Sequence, residues 1–437
     1  MNTDVKRAEI LKFICLGLSY AFSYGYVCLF TNTDSNLTVC TILCGLAVVA
    51  VIWLELTMWQ QQLLGRFLPT KLQKIEPRFW EVILLLLCVT TYGNQMTGTT
   101  LLFIHAVAIY MVLVGTGHLL SDRSSCLMPL DLVNGFVRMP FRNILSRIFS
   151  VYDTVHEHNI QKSEGAESET TEKTRPRYNI IGIIGVLCMI LIIFCLALEN
   201  LAKVDDHFLY ALESIDRFLS KISLSIVIVK FLFSIPIGAF LFGLYQGSVR
   251  TSIEKEKEFH SKVVTESKKL RFMPDTLYSI VLGIFILVYL AFCLSQASYM
   301  FSAFAGVLPE AYTASQYAVS GFHELINVVL INFVLLSLVR IFGSHENRIL
   351  KILSTVIMAQ SMVFACISAS KIILYVSRFG YTPSRTLGLW GTAVVFVGSA
   401  LAIVHLLTKK RTFTPWLWFS AGSYVTMVFI AWGIVSR

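Results

Sequence analysis

Long apolar runs separated by short polar segments dominate the chain. A run of about 20 mostly apolar residues is long enough to cross a hydrocarbon layer as a helix. Eleven such candidates begin near Ile10, Leu37, Glu81, Thr97, Tyr178, Lys221, Pro274, Val319, Arg348, Leu387 and Thr414. Lipid offers backbone N–H and C=O groups no partner, so each run is predicted to be a helix whose hydrogen bonds close internally. The alternating ten-residue segments of a membrane barrel are absent. The shortest run is EVILLLLCVTTY at 81–92, and the orientation of the first part depends on it. A basic flank and a long apolar run open the chain with no small-residue cleavage site behind them, which predicts an uncleaved first span.

Composition sharpens this pattern. Of the 437 residues, 55% are hydrophobic and 14% charged, against roughly 25% charged in an average soluble domain. The mean hydropathy is +0.68. So little charge cannot cover a soluble protein of this size, which excludes a soluble enzyme, a disordered chain and a fibre. The expected class is an all-α integral membrane protein of about 11 transmembrane helices, with the bilayer itself as its first partner. The net charge of +9 sits between the apolar runs, where it orients the spans and does not build a nucleic-acid surface. With the N-terminus inside, 28 of the 36 Lys and Arg residues fall in inner segments, six in outer segments and two within spans. This asymmetry predicts an N-in, C-out course with an odd number of spans.

The polar segments divide the chain into four spans and then seven. Residues 1–127 form a four-helix membrane part. Residues 128–152 carry Phe141, Leu145, Ile148 and Phe149 at helical spacing with Arg142 and Arg147 between them, the pattern of an amphipathic interfacial helix. Residues 153–177 are acidic and nearly free of large apolar side chains, which reads as a disordered cytoplasmic linker. Residues 178–437 form the seven-helix part. Within it, 250–271 mixes charges at helical spacing, with Glu258 and Lys262 four apart, as a solvated helix would. The ten cysteines lie almost entirely in apolar runs and form no CxxC pair, so neither zinc nor a redox motif is implied, and no cofactor is expected.

Candidate chemistry comes from polar groups in the hydrocarbon layer, which are costly there and therefore mark function or helix contacts. The run after Val319 carries His323, Glu324 and Asn327 on its outer turns and Asn332 deeper. HELIN resembles HExxH, but its fifth position is Asn327, so the two-histidine zinc grip is missing. In the next run Ser368, Lys371 and Tyr375 follow at three- and four-residue steps and make one polar stripe. Lys371 can snorkel toward the outer surface or pair with a carboxylate, Glu324 first and Glu199 second. A desolvated lysine–glutamate pair is a proton or ion relay candidate. Lys230 and Pro236 share a run in which Pro236, with Gly238 and Gly243, implies a kink serving either a cavity or close packing. Glu55, His105 and His405 read as interhelical contacts. No phosphate loop, nucleophile elbow or kinase signature is present, so no catalytic residue is assigned and an enzyme is not expected.

The stretch from LPEAYTASQYAVSGFHELIN to SKIILYVSRFGYTPSRTLGLW resembles the bacterial membrane family catalogued as domain of unknown function 4173 and its relative 4153. The matching residues are Leu308, Pro309, Tyr317, Ala318, Gly321 and Phe322, then Tyr375, Gly380, Thr382 and Arg385, within about 275–406. Lys371 stands where the family tends to arginine, and Ser377 where it tends to a carboxylate. The resemblance implies a polytopic inner-membrane protein without a settled activity. Two functions remain open: a transport-like or permeation role using the polar residues of the last five spans, or a non-catalytic signalling or assembly component. The latter would bind protein partners through 128–177 and 250–271.

Overall fold

The computed structural model describes residues 3–31, 35–65, 71–92, 98–121, 123–147, 226–250, 261, 265, 274–306, 314–343 and 347–435. Every regular element among them is helical. The elements are α1 (Thr3–Thr31), α2 (Asn36–Leu63), α3 (Lys71–Thr90), α4 (Gly98–Thr116), α5 (Met128–Val133), a π turn (Asn134–Arg138) and α6 (Met139–Arg142). They continue with α7 (Ile226–Arg250), α8 (Asp275–Ser295), α9 (Ala297–Phe301), a 3-10 turn (Ser302–Ala305), α10 (Ala314–Phe342), α11 (Arg348–Phe379), α12 (Pro383–Thr408) and α13 (Phe413–Val435).

Seven helices among the described residues are long and apolar enough to cross a membrane: α1, α2, α7, α8, α10, α11 and α12. Of the other four expected spans, α4 contains a shorter apolar helix, Thr100–Thr116. The runs near Glu81 and Thr414 form α3 and α13, which are not among the candidate spans found in the described residues. The run near Tyr178 lies outside the described residues, as do the acidic linker 153–177 and Glu199. The helices turn large apolar side chains outward, such as Phe231, Leu232 and Phe233 on α7 and Leu287 and Leu294 on α8. A soluble protein does not leave apolar faces of this extent in water, whereas a lipid-facing helix requires them. The chain is a multi-pass membrane protein.

Two compact units form. The first takes in residues 1–119 and 128–255, the second 120–127 and 256–437. The division therefore does not fall at the acidic linker. Helix α7 joins α1 and α2 instead of the later helices, and the short stretch 120–127 joins the second unit, where Thr414 Oγ1 donates to the Ser124 carbonyl at 3.1 Å.

In the first unit α1 packs on α2 and α7, and α3 packs on α4 and α2. Residues 128–142 are helical throughout, with a π turn between α5 and α6, and the stretch to 147 packs against α4 and α7 and buries Asp131, Asn134, Met139, Ile144 and Arg147. Glycines make this approach possible. A Cβ on Gly135 would lie 2.6 Å from Ile109 and one on Gly247 3.1 Å from Met139, while one on Gly243 would strike the Pro140 carbonyl. Helix α7 runs unbroken through Pro236, so the proline and glycine pattern there serves packing of an inserted segment.

In the second unit α11 is the central helix, with α8, α10 and α12 packed around it. Its buried face carries Ser354, Ser361 and Ser368 at seven-residue steps among Ile357, Phe364 and Ile367. Small hydroxyl residues let neighbouring helices come close while their hydroxyls return to carbonyls of the same helix. The turn into α12 explains four residues of the family-like motif. Gly380 ends α11 with φ 75° and ψ 177°, and Thr382 caps α12 by accepting from Arg385 N at 3.4 Å. Arg385 Nη1 then donates to the carbonyls of Phe379 and Gly380 at 2.9 and 2.6 Å, while its guanidinium lies 4.2 Å from the Tyr375 ring centroid.

The backbone angles at Gly380 belong to a region open essentially to glycine alone. Gly380→Ala is expected to cost about 1–3 kcal/mol, read as a lowered thermal midpoint of the detergent-solubilised protein. The substitution Gly391→Ala, in α12 where a Cβ meets nothing within 4 Å, is expected to leave that midpoint unchanged.

Candidate functional site

The polar residues of the last spans converge on α11 from two levels. At the deeper level Tyr289 of α8 donates its hydroxyl to Asn332 Oδ1 at 2.8 Å. Asn332 Nδ2 donates to Ser361 Oγ of α11 at 2.9 Å, and Ser361 Oγ donates to the Ile357 carbonyl at 2.9 Å. One asparagine thus ties three helices together. Both ends of its amide are satisfied and it has no exposed surface. Around this chain lie Met300, Leu325, Val329, Phe364 and Ile367, so the bonds form in an apolar setting and are worth more than they would be in water. Gln360 adds a third interhelical bond, from its Nε2 to the Ile286 carbonyl at 3.2 Å.

The second level lies toward the Phe379 end of α11. Lys371 is only 1% exposed, eight residues before Phe379 and thus about 12 Å along the helix from its end. It does not use its length to leave the core, as a snorkelling lysine would. Glu324 on α10 is the carboxylate whose charge acts on it. Glu324 is itself exposed, as are His323 and Asn327, and the ion pairs among the described residues do not include one between Glu324 and Lys371. The two residues thus lie on the adjacent helices α10 and α11, with the Glu324 charge acting on a buried Lys371. Ser368 sits one turn before Lys371, fully buried, and its hydroxyl is without a hydrogen-bond partner. The stripe expected on α11 is thus real in position but mixed in state: Ser368 and Lys371 are buried, whereas Tyr375 is half-buried under Arg385.

The remaining sequence candidates separate from this cluster. Arg385 belongs to the α11–α12 turn. Lys230 and Pro236 lie on α7 in the first unit, Lys230 half-buried and Pro236 exposed. Asn327 lines an apolar groove on the outer face of α10 with Leu330, Ile331, Val334 and Leu335. Glu55 is an interhelical contact as expected, paired with Arg78 of α3, which also bonds Glu81 at 2.9 Å. These two carboxylates raise the Arg78 pKa above its ordinary value, the Glu55 hydrogen bond contributing most. His105 likewise links helices. Its Nδ1 donates to the Leu101 carbonyl at 2.6 Å, which leaves Nε2 to pair with Tyr26 Oη at 2.6 Å. His405 does not, because its ring pairs with the Lys410 carbonyl just beyond its own helix.

A polar knot in the first unit carried no sequence signal strong enough to find it. Gln61 Nε2 donates to the carbonyls of Thr116 and Ser248 at 3.1 and 2.8 Å, and His118 Nε2 donates to Ser248 at 2.7 Å. Gln60 Nε2 donates to the Ala8 carbonyl at 3.1 Å while Tyr245 donates its hydroxyl to Gln60 Oε1. The paired glutamines lie in the last turn of α2. They satisfy carbonyls at three other places in the unit. Among the described residues no three His, Cys, Asp or Glu side chains come together in a metal-holding arrangement.

Comparison with known proteins agrees with an architecture of this kind. No curated protein and no solved structure matches the chain. One family model does, and it spans residues 79–436, well beyond the motif-bearing segment 275–406. Of the two related families that the motif suggested, the match is to 4153. From α3 to the last helix, the chain belongs to the family described as Domain of unknown function (DUF4153).

Proposed function

We propose that this multi-pass membrane protein has a transport-like role in which the second unit carries a charge-relay site, Glu324 on α10 and Lys371 on α11. The supporting observation is the burial of Lys371. An ammonium with 1% of its surface exposed costs free energy in a bundle of this kind, and such a group is kept where its charge is used. Its carboxylate counterpart, Glu324, is exposed on the adjacent helix, and its charge acts on Lys371. Ser368, buried beside Lys371 with an open hydroxyl, adds a group able to accept or donate a proton within the stripe. The reading carries with it an N-in, C-out course of about 11 spans in a bacterial inner membrane, for which the 28-to-6 distribution of basic residues is the support.

A second reading is favoured by a different observation. The Tyr289–Asn332–Ser361 chain is fully paired in an apolar cluster, as in a dry bundle that holds its shape and presents cytoplasmic segments to partners. In this reading the protein is a non-catalytic signalling or assembly component acting through 128–177 and 250–271.

Accessibility separates the two. Single cysteines introduced from 319 to 376 in a cysteine-replaced background are treated with a membrane-impermeant maleimide. Labelling at 324 and at 371 is the expected result for a relay reached by water. Protection of both positions overturns the transport-like reading and favours the dry bundle. In a proton-flux assay with reconstituted vesicles, Lys371→Met and Glu324→Gln are each expected to lower the rate at least about tenfold, the effect of 1.4 kcal/mol at one step. Unchanged flux in both variants removes the relay.

The Asn332 chain has the opposite signature. Asn332→Leu leaves Tyr289 and Ser361 without their partner and is expected to cost about 1–3 kcal/mol of stability. Adding Tyr289→Phe is expected to recover part of that loss, a coupling that a double-mutant cycle in detergent measures directly.

A further inference from the structure

Arg147 in the first unit holds a half-used guanidinium. It is 3% exposed. Its Nη1 donates to the Ile235 carbonyl of α7 at 2.9 Å, and its plane stacks on Tyr20 of α1, with Cζ 3.4 Å from the ring centroid. Its Nε and Nη2 are buried and have no hydrogen-bond partner among the described residues. Those two nitrogens share one edge of the fork, the edge that presents two parallel N–H groups to two oxygens of a carboxylate or phosphate. The residue is therefore fixed in place by a carbonyl on one side and an aromatic ring on one face, while the two N–H groups of its other edge are buried and unsatisfied.

The surroundings specify more. Gly238 lies so close to the guanidinium that any Cβ there would collide with it, so α7 is shaped to admit this side chain. Tyr20 is 13 residues from Arg7, and Ile235 is 14 from Val249, at the ends of two spans. Arg147 therefore acts about 20 Å along each helix from that end, well inside the apolar layer. A cation at such depth without a counter-anion is strongly disfavoured. The neighbouring surface of α7 is Phe231, Leu232, Phe233 and Ile235, all exposed and apolar. An anion that reaches Arg147 past such a surface has to bring an apolar body with it.

We propose that Arg147, held by Tyr20 and Ile235, is the recognition group of an intramembrane oxyanion site that takes the phosphate of an anionic lipid. The site lies in the first unit and does not depend on the Glu324–Lys371 reading. Binding is non-covalent, with Nε–H and Nη2–H donating to two phosphate oxygens and the acyl chains lying along α7.

Three probes added to the purified full-length protein in neutral detergent test this. Phosphatidylglycerol supplies head and tail, inorganic phosphate the head alone, and diacylglycerol the tail alone. Phosphatidylglycerol is expected to raise the thermal midpoint in a saturable way, and diacylglycerol is not. Stabilisation by inorganic phosphate at comparable concentration would keep the oxyanion site and assign it to an aqueous ligand. Arg147→Lys keeps the charge but loses the two-pronged edge, and is expected to weaken phosphatidylglycerol binding about tenfold. Equal response to diacylglycerol, or equal affinity in the wild type and Arg147→Lys, overturns the proposal. Should the variant fail to fold, native mass spectrometry of the wild type after delipidation decides the matter. One retained anionic phospholipid is expected, and none retained overturns it.

Discussion

A polar group removed from water inside an apolar layer must find its partner within the protein. Most of this architecture follows from where those partners are found. In the second unit the Asn332 amide reaches one hydroxyl on each side and thereby fixes α8, α10 and α11 at one level. In the first unit Gln61 and His118 converge on the Ser248 carbonyl, and Gln60 reaches back to Ala8 at the start of the chain. Apolar packing between helices distinguishes poorly among partners when the surrounding lipid is equally apolar. These few directional bonds therefore do much of the work of choosing which helix lies beside which.

The same constraint explains the inserted segment 128–147. A non-helical or broken stretch can enter an apolar layer only where protein surrounds it. Helix α4 and the glycine face of α7 provide that cover, since Gly243 and Gly247 let the backbone of Pro140 and the side chain of Met139 approach where a larger residue would collide. Asn143 Nδ2, for its part, returns to the Met139 carbonyl at 2.9 Å, one turn back along its own segment.

What the sequence made legible and what it hid follow from this. The helical class, the apolar runs and the structural use of Glu55 and His105 could be read because they rest on local pattern or on the cost of isolated charge. Lys371 could be singled out for the same reason, and Glu324 as its opposite charge. The amphipathic pattern of 128–152 could not reveal insertion, because Phe141, Leu145 and Arg147 at helical spacing suit a membrane surface as well as a cleft between helices. Only the partner face, on α7 a hundred residues later, decides between these. The Gln60–Gln61 knot was hidden in a similar way, since each of its bonds reaches residues 52 to 187 positions distant and none has a local signature. Helix α7 comes late in the chain yet packs on α1 and α2, a pairing with no local signature. Sequence order is a weak guide to which helices pair once several hydrophobic helices share one layer.

Lys371 and Arg147 show how the chemistry of a cation separates two uses of burial. An ammonium is a compact point charge that interacts with an opposite charge at a distance and can release a proton when desolvated. That suits Lys371, on which the charge of Glu324 on the neighbouring helix acts. A guanidinium keeps its proton and acts through direction, with a fixed fork that is satisfied only by oxygens placed in its plane. Arg147 has its plane held by Tyr20 and one nitrogen by Ile235, which leaves direction as the property preserved at that site. A charge serving only to pin helices together is better answered by carboxylates of the same protein, as Arg78 is through Nη1 by Glu55 and Glu81. Arg147 lies in the same unit, and the ion pairs of the described residues give it no carboxylate, so the contrast is between an arginine neutralised by its own protein and one whose fork is kept for an anion the protein binds.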